Sequence, residues 1–336
     1  MPRAVILGCR GPVLSREESK FFTRTDPLGF ILFTRNCQSR SQVRSLVMDL
    51  RDSVGRSDAP ILIDQEGGRV TRLCHPEWRA TPPASRFGDL FDISPSAAIE
   101  AVQLNARLVA DDLRDLGINI NCAPVLDIAN SEGHAVIGDR AFSNRAGPVT
   151  ILGREYAFGL LQGGVLPIVK HLPGHGRSPT DTHAVRTEIS ATHEEMQSVD
   201  FLPFQALSHM PVGMVGHPVY SSLDPCTPAS VSSHVINQVI RSEIGFNGLL
   251  LSDDIAMDAL SGPFGARVSE AINAGCDAVL HCTGHLSEMY QIAESACLMN
   301  ESSNARWMRA KAKITLPHDI DRERTLRQLS EHLNKI

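Results

Sequence analysis

Short, unbroken apolar runs recur along this chain with longer amphipathic stretches between them, and that alternation restricts the fold more than any other feature. The runs cover residues 4–8, 30–33, 61–63, 118–123, 166–169, 212–216, 249–251 and 278–280. None alternates apolar with polar positions, so each must bury both faces, as strands of parallel sheets do. Helix signals fill the intervals. Ser15 stands three residues before Glu18, and Thr192 three before Glu195, which is capping-box spacing. Ser94-Pro95 supplies an N-cap followed by proline at the first helical position. Ile99, Val102, Ala106, Val109, Leu113 and Leu116 then share one face, up to a stop at Gly117. A further helix is expected over roughly 233–244, ending before Gly245. Eight buried strands alternating with helices predict an α/β fold, a single (β/α)8 TIM-like barrel, with an open doubly wound sheet as the alternative.

No linker or shift in composition divides the 336 residues, so one domain is expected over 1–336, with a polar helical segment from about 304 packed on the outside. A formal net charge of −6 gives no bulk support for a nucleic-acid partner. The first apolar run is too short for a secretion signal, and no stretch approaches the roughly 18 apolar residues of a membrane span. Cys9, Cys37, Cys74, Cys122, Cys226, Cys276, Cys282 and Cys297 are scattered, with no C-x-x-C pair, and read as reduced thiols. A cytoplasmic monomer without a membrane partner is the expectation.

Barrel enzymes work at the C-terminal ends of their strands. The polar residues that end the runs are therefore the candidates. The third run ends in Asp64-Gln65-Glu66-Gly67-Gly68-Arg69, the fifth in Lys170-His171, the sixth in Gly216-His217 and the seventh in Ser252-Asp253-Asp254. The richest stretch, Lys170-His171-Leu172-Pro173-Gly174-His175-Gly176, is followed by Asp181-Thr182-His183. Asp181 and His183 stand two apart, close enough in a turning loop for the carboxylate to hold the imidazole as a general acid/base.

These segments, in this order, resemble the bacterial β-N-acetylglucosaminidases of glycoside hydrolase family 3. Asp64 to Val70 is similar to their D-Q-E-G-G-R-V, Lys170 to Gly176 to K-H-F-P-G-H-G, Asp181 to His183 to D-S-H, and Ser252 to Met257 to S-D-D-L-S-M. The stretches beginning at Leu32, Ala123 and Ile137 fit as well. Leu172, Thr182, Ile255 and Ala256 depart from the motifs without altering an ionisable position. The likeness runs from near residue 1 to about 285.

The resemblance implies a retaining glycosidase of the peptidoglycan-recycling type, which releases terminal N-acetylglucosamine from a small glycan such as an anhydro-muropeptide. Asp253 is then the nucleophile, His183 the acid/base and Asp181 its partner. Asp64, Arg72, Arg140, Lys170 and His171 match the sugar-binding positions. His217, at the end of the sixth run, is expected to line the pocket. Neither a cofactor nor a metal is implied. Asp254 is expected to be a structural neighbour of the nucleophile, His175 a support for its loop and Glu66 a scaffold residue. Asp127 is open between strand-end acceptor and pocket residue. Two rival readings are a metal-dependent barrel hydrolase, with His171, His175, His183 and Asp253 as ligands, and a phosphorolytic variant of the same fold.

Overall fold

A computed structural model describes residues 1–130, 136–180 and 185–336. All eight apolar runs become barrel strands: β1 (Arg3–Gly8), β2 (Pro27–Leu32), β3 (Ile61–Ile63), β4 (Ile120–Asn121), β5 (Leu166–Leu172), β6 (Val212–Val215), β7 (Leu249–Asp254) and β8 (Ala278–His281). Every neighbouring pair is parallel, and β1 pairs with both β2 and β8, which closes the barrel. Registers such as Ile6↔Leu280, Ile31↔Leu62 and Met214↔Leu251 set the same residues facing inward around the ring.

The closure explains why the runs are continuous. Ile6, Ile31, Leu62, Ile168, Met214, Leu251 and Leu280 form the interior cluster. Their chain neighbours Leu7, Phe30, Ile61, Val169, Leu250 and Val279 belong to a second cluster, under the helices. Successive strand side chains point to opposite faces, and here both faces are core.

The helices obey the sequence signals with two exceptions. Ser15 caps Arg16–Thr25 through the expected box with Glu18. Pro95–Asp115 ends at Gly117, whose φ is 79°, while Ile118 N–H reaches back to the Leu113 carbonyl. That is a Schellman-type stop. The Thr192–Glu195 box forms too, but the α-helical turn it starts spans only His193–Glu195 before widening into a π-turn, Met196–Asp200. The helix expected over 233–244 is Val235–Glu243 and is wound with i→i−5 bonds, Ile244 N–H to the Val239 carbonyl among them.

The C-terminal segment corrects the expectation that it packs only outside. Helix Glu301–Lys311 places Trp307 and Ala310, with Met299, in the interior cluster. Met299 N–H donates to the Pro2 carbonyl beside the start of β1, so this helix seals the N-terminal end of the barrel. Helix Arg322–Leu333 does pack outside, where Arg322 bonds Asp111 and Asp112 of Pro95–Asp115 at 2.8 Å each. Among the described residues, no helix is long and apolar enough to cross a membrane.

Candidate active site

The C-terminal ends of the strands surround a cavity of about 100 Å³ that opens to solvent. Asp64, Glu66, Arg72, Arg140, Lys170, His171 and Asp253 all line it. Six of these were expected there from sequence, and they arrive from β3, β5, β7 and the loops after β3 and β4.

The loop after β3 reverses sharply. Glu66 N–H donates to the Val70 carbonyl, and Gly67 and Gly68 take φ of 112° and 55°. A side chain at Gly67 would meet the Pro82 carbonyl oxygen at 2.1 Å, so only glycine fits both the torsion and the approach. The reversal brings Arg72 back over the strand it left. Its Nη2 donates to Asp64 Oδ2 at 3.1 Å, and its guanidinium lies 5.1 Å from the centre of the Phe33 ring. Gln65 holds the turn from beneath, accepting from both Arg72 N–H and Leu73 N–H at 3.0 Å.

Lys170 projects from β5 between two carboxylates, with Nζ 3.0 Å from Asp64 Oδ1 and 2.6 Å from Glu66 Oε1. Arg140 grips Glu66 with two parallel bonds of 2.8 Å. Burial alone would raise the Glu66 pKa, but Arg140 and then Lys170 outweigh it and hold the group down at about 2. Asp64 is likewise held below its ordinary value, burial being overcome by Lys170 and Arg72. Burial works against the Lys170 ammonium, yet the two carboxylates push its pKa up. Three basic side chains thus face two carboxylates on the cavity that Asp253 also lines.

The chain beyond β4 continues alongside β5, with Leu126 N–H on the Lys170 carbonyl at 2.7 Å. This delivers Asp127, fully buried, under the next loop. Asp127 Oδ1 accepts from His171 N–H at 3.2 Å and His175 N–H at 2.7 Å, and its Oδ2 lies 2.6 Å from His171 Nδ1. The open question about Asp127 is answered: it is an acceptor that clamps the loop. With Nδ1 bonded to Asp127, the His171 ring is held at the cavity it lines. His175 is buried at the same loop. Burial, and then the neighbouring His171, lower its pKa to about 4. Gly176 passes so close to Ile128 that a Cβ would stand 1.8 Å from the carbonyl oxygen.

Asp253 and Asp254 end β7. Asp254 N–H donates to Asp253 Oδ1 at 2.8 Å, whereas the Asp254 carboxylate turns away and accepts from Ala256 N–H and Cys282 N–H. Burial raises Asp254 to about 6. Asp181 and His183 lie outside the described residues; on either side of them, Ser178 and Thr180 both bond Thr187, at 3.3 and 2.5 Å.

One expectation needs correction. His217 does not line the cavity. It is fully buried, with Nδ1 2.6 Å from Ser230 Oγ and Nε2 2.9 Å from the Asp254 carbonyl. Conversely, Glu66, set aside as scaffold, is a cavity residue, as are Ile31, Met214, Leu280 and Cys282. Glu66 had a signal, a second carboxylate two residues after Asp64 at a strand end. Ile31, Met214 and Leu280 had none beyond falling on inward strand positions, and Cys282, just past β8, had none. Among the described residues, no three His, Cys, Asp or Glu side chains are grouped so as to hold a metal ion.

The profile of the glycosyl hydrolase family 3 N terminal domain matches residues 12–315. The β-hexosaminidase of Xylella fastidiosa strain M23 is 36% identical over 284 residues, 83% of each chain. That of Methylococcus capsulatus is 36% identical over 276 residues, 81% of this chain and 80% of the other. Among solved structures, native NagZ from Neisseria gonorrhoeae superposes with a TM-score of 0.87 at 29% identity, covering 99% of this chain and 98% of that one. A family 3 β-N-acetylglucosaminidase from Paenibacillus sp. strain FPU-7 gives 0.86 at 28% identity, covering 98% of this chain and 67% of the other.

Proposed function

This chain belongs to glycosyl hydrolase family 3 as one of its β-N-acetylglucosaminidases, and from that premise we propose that it removes terminal β-linked N-acetylglucosamine from peptidoglycan fragments with retention, using Asp253 as nucleophile. The observation that carries this reading is the placement of Asp253 at the end of β7, on the same cavity as Asp64, Arg72, Arg140, Lys170 and His171. The chain acts as one catalytic unit, as a cytoplasmic monomer, on small anhydro-muropeptides.

Asp64 accepts hydrogen bonds from sugar hydroxyls, and Lys170 and His171 donate to them. Arg72 and Arg140 stand ready for oxygen acceptors, including a carboxylate on the neighbouring sugar. The ionised network fixes the sugar without moving at the moment of reaction. Asp253 attacks the anomeric carbon as the glycosidic C–O bond breaks, and His183, oriented by Asp181, gives the departing oxygen its proton. The bond formed is an ester between C1 and Asp253. Water then attacks C1, His183 takes a proton from it, and the Asp253 carboxylate leaves.

Hydrolysis of aryl β-N-acetylglucosaminides tests the assignment. Asp253→Ala is expected to lose on the order of 10³-fold or more in kcat. His183→Ala is expected to lose roughly 10²–10⁴-fold on a poor leaving group and least on the best one, since that group needs no proton. The wild type should be indifferent to chelator. A wild type that stops with chelator, or an Asp253→Ala enzyme at full rate, overturns the mechanism.

A further inference from the structure

We propose that His217 is a positioning residue for the nucleophile, acting through the backbone of Asp254 and held in its working tautomer by Ser230. This rests on the assignment of Asp253 as nucleophile.

The Asp254 carbonyl can only accept, so the contact of 2.9 Å to His217 Nε2 requires a hydrogen on Nε2. In the neutral ring Nδ1 is then an acceptor, and Ser230 Oγ, 2.6 Å away, donates to it. Both His217 and Ser230 are fully buried, so no bulk water competes for these bonds. Ser230 is held in turn by the short helical turn Ala229–Val231.

His217 follows β6, the strand that pairs with β7 through Val215↔Ser252. From the other side, Cys282, just past β8, donates its N–H to Asp254 Oδ1 at 3.2 Å, and Ala256 N–H adds a second bond at 3.0 Å. The carbonyl and the carboxylate of Asp254 are therefore tied to the strands on both sides of β7. The group left to face the reaction is its N–H, which donates to Asp253 Oδ1 at 2.8 Å. One oxygen of the nucleophile is thereby pinned, which restricts the orientation of its carboxylate.

His217 is fully buried and is not among the residues that line the cavity, whereas the sugar-binding network stands on β5 and the loops after β3 and β4. Losing it should leave sugar binding intact and misalign attack. A displacement of about 1 Å at a reacting group can cost on the order of 10²-fold in rate.

The test is turnover of an aryl β-N-acetylglucosaminide by wild type, His217→Phe, His217→Gln and Ser230→Ala. Rates are expressed per active site, titrated with a 5-fluoro glycosyl fluoride of N-acetylglucosamine that forms a slowly hydrolysed ester. The labelled residue is mapped by mass spectrometry of peptides. His217→Phe should lower kcat by about 10²-fold with KM within about 3-fold. His217→Gln, whose amide can still donate to the Asp254 carbonyl, should recover most of it, and Ser230→Ala should lose about 5-fold. A His217→Phe enzyme with wild-type kcat per site overturns the proposal. So does one whose loss lies in KM, or a glutamine variant no better than phenylalanine. If His217→Phe does not fold, Ser230→Ala decides, and full kcat there overturns it. A label found in the wild type on a residue other than Asp253 removes the nucleophile assignment instead, and is read separately from the variants.

Discussion

The barrel buries an ionic cluster at each end, and the two differ in how completely their carboxylates are used. At the N-terminal floor, Asp277 just precedes β8. Its Oδ1 accepts from Ser303 Oγ at 2.6 Å and Arg306 Nη1 at 2.8 Å, and its Oδ2 from Arg241 Nη2 and Leu250 N–H, both at 2.9 Å. Four donors fill the carboxylate, and nothing is left over for a ligand. At the C-terminal mouth, Asp64 holds one donor on each oxygen, from Lys170 and Arg72, and faces the cavity with capacity to spare. The same residue types build a lock at one end, fastening helix Glu301–Lys311 to the barrel, and a receptor at the other. Whether a buried charge is structural or functional is therefore read from its unused lone pairs and its access to a cavity, not from its burial.

The largest effect that could break this division is at the mouth. Lys170→Met removes the cation that bridges Asp64 and Glu66. It should reduce kcat/KM by about 10³-fold or more, about 4 kcal/mol of transition-state stabilisation, and also lower stability, because two buried carboxylates lose a partner. Steady-state kinetics and urea midpoints measure both. At the floor, Asp277→Ala should cost about 3 kcal/mol in stability by leaving the partly buried Arg241 and Arg306 without their anion. Its kcat per folded molecule should stay within about 2-fold of wild type. A floor variant whose chemistry fails along with its stability would erase the distinction.

The contrast also explains what could be read from the sequence. The strands were legible because burial on both faces leaves an unbroken apolar run, and even a three-residue strand, Ile61–Ile63, stood out between turn residues. Asp64, Lys170, His171 and Asp253 were legible because they end such runs. The floor was not. Ser303 and Arg306 share a helix but lie far from Arg241 and well beyond Asp277 in the chain, and they meet only once helix Glu301–Lys311 folds under the barrel, so that segment read as polar and external. His217 was misread for a related reason. A strand end marks which residues reach the mouth, but not whether a side chain turns into the cavity or into the neighbouring strand. The π-winding of Val235–Glu243 left no mark in apolar periodicity, since the same face is buried either way.

Acid sharpens the comparison next. Folded His175 resists a proton down to about pH 4, whereas the unfolded chain takes one near its ordinary 6.5. Stability contributed by the neutral ring is thus complete above 6.5 and is lost as pH falls toward 4, by about 3 kcal/mol. Glu66 adds a second loss lower down, between its ordinary 4.5 and about 2. Urea unfolding across pH 7 to 4 should show the first slope in the wild type and a flatter one in His175→Asn. An unchanged slope would mean that His175 is protonated at no extra cost in the fold.

The smallest expected effect is at the rim, and it asks how tightly the open cluster is held. Arg72 keeps about a quarter of its side chain exposed (23%), against 2% for the Asp277 carboxylate. Arg72→Lys preserves the charge opposite Asp64 but loses the planar group that covers Phe33 and any two-point contact to a substrate oxygen. KM should rise about 10-fold, equivalent to about 1.4 kcal/mol, with kcat within about 2-fold. Stability should move by no more than about 0.5 kcal/mol, because a partly exposed pair contributes little and the ammonium can still reach water. A loss of several kcal/mol, as expected of the floor, would show that the mouth is packed as a lock too, and that the spare capacity of Asp64 is not what receives the sugar.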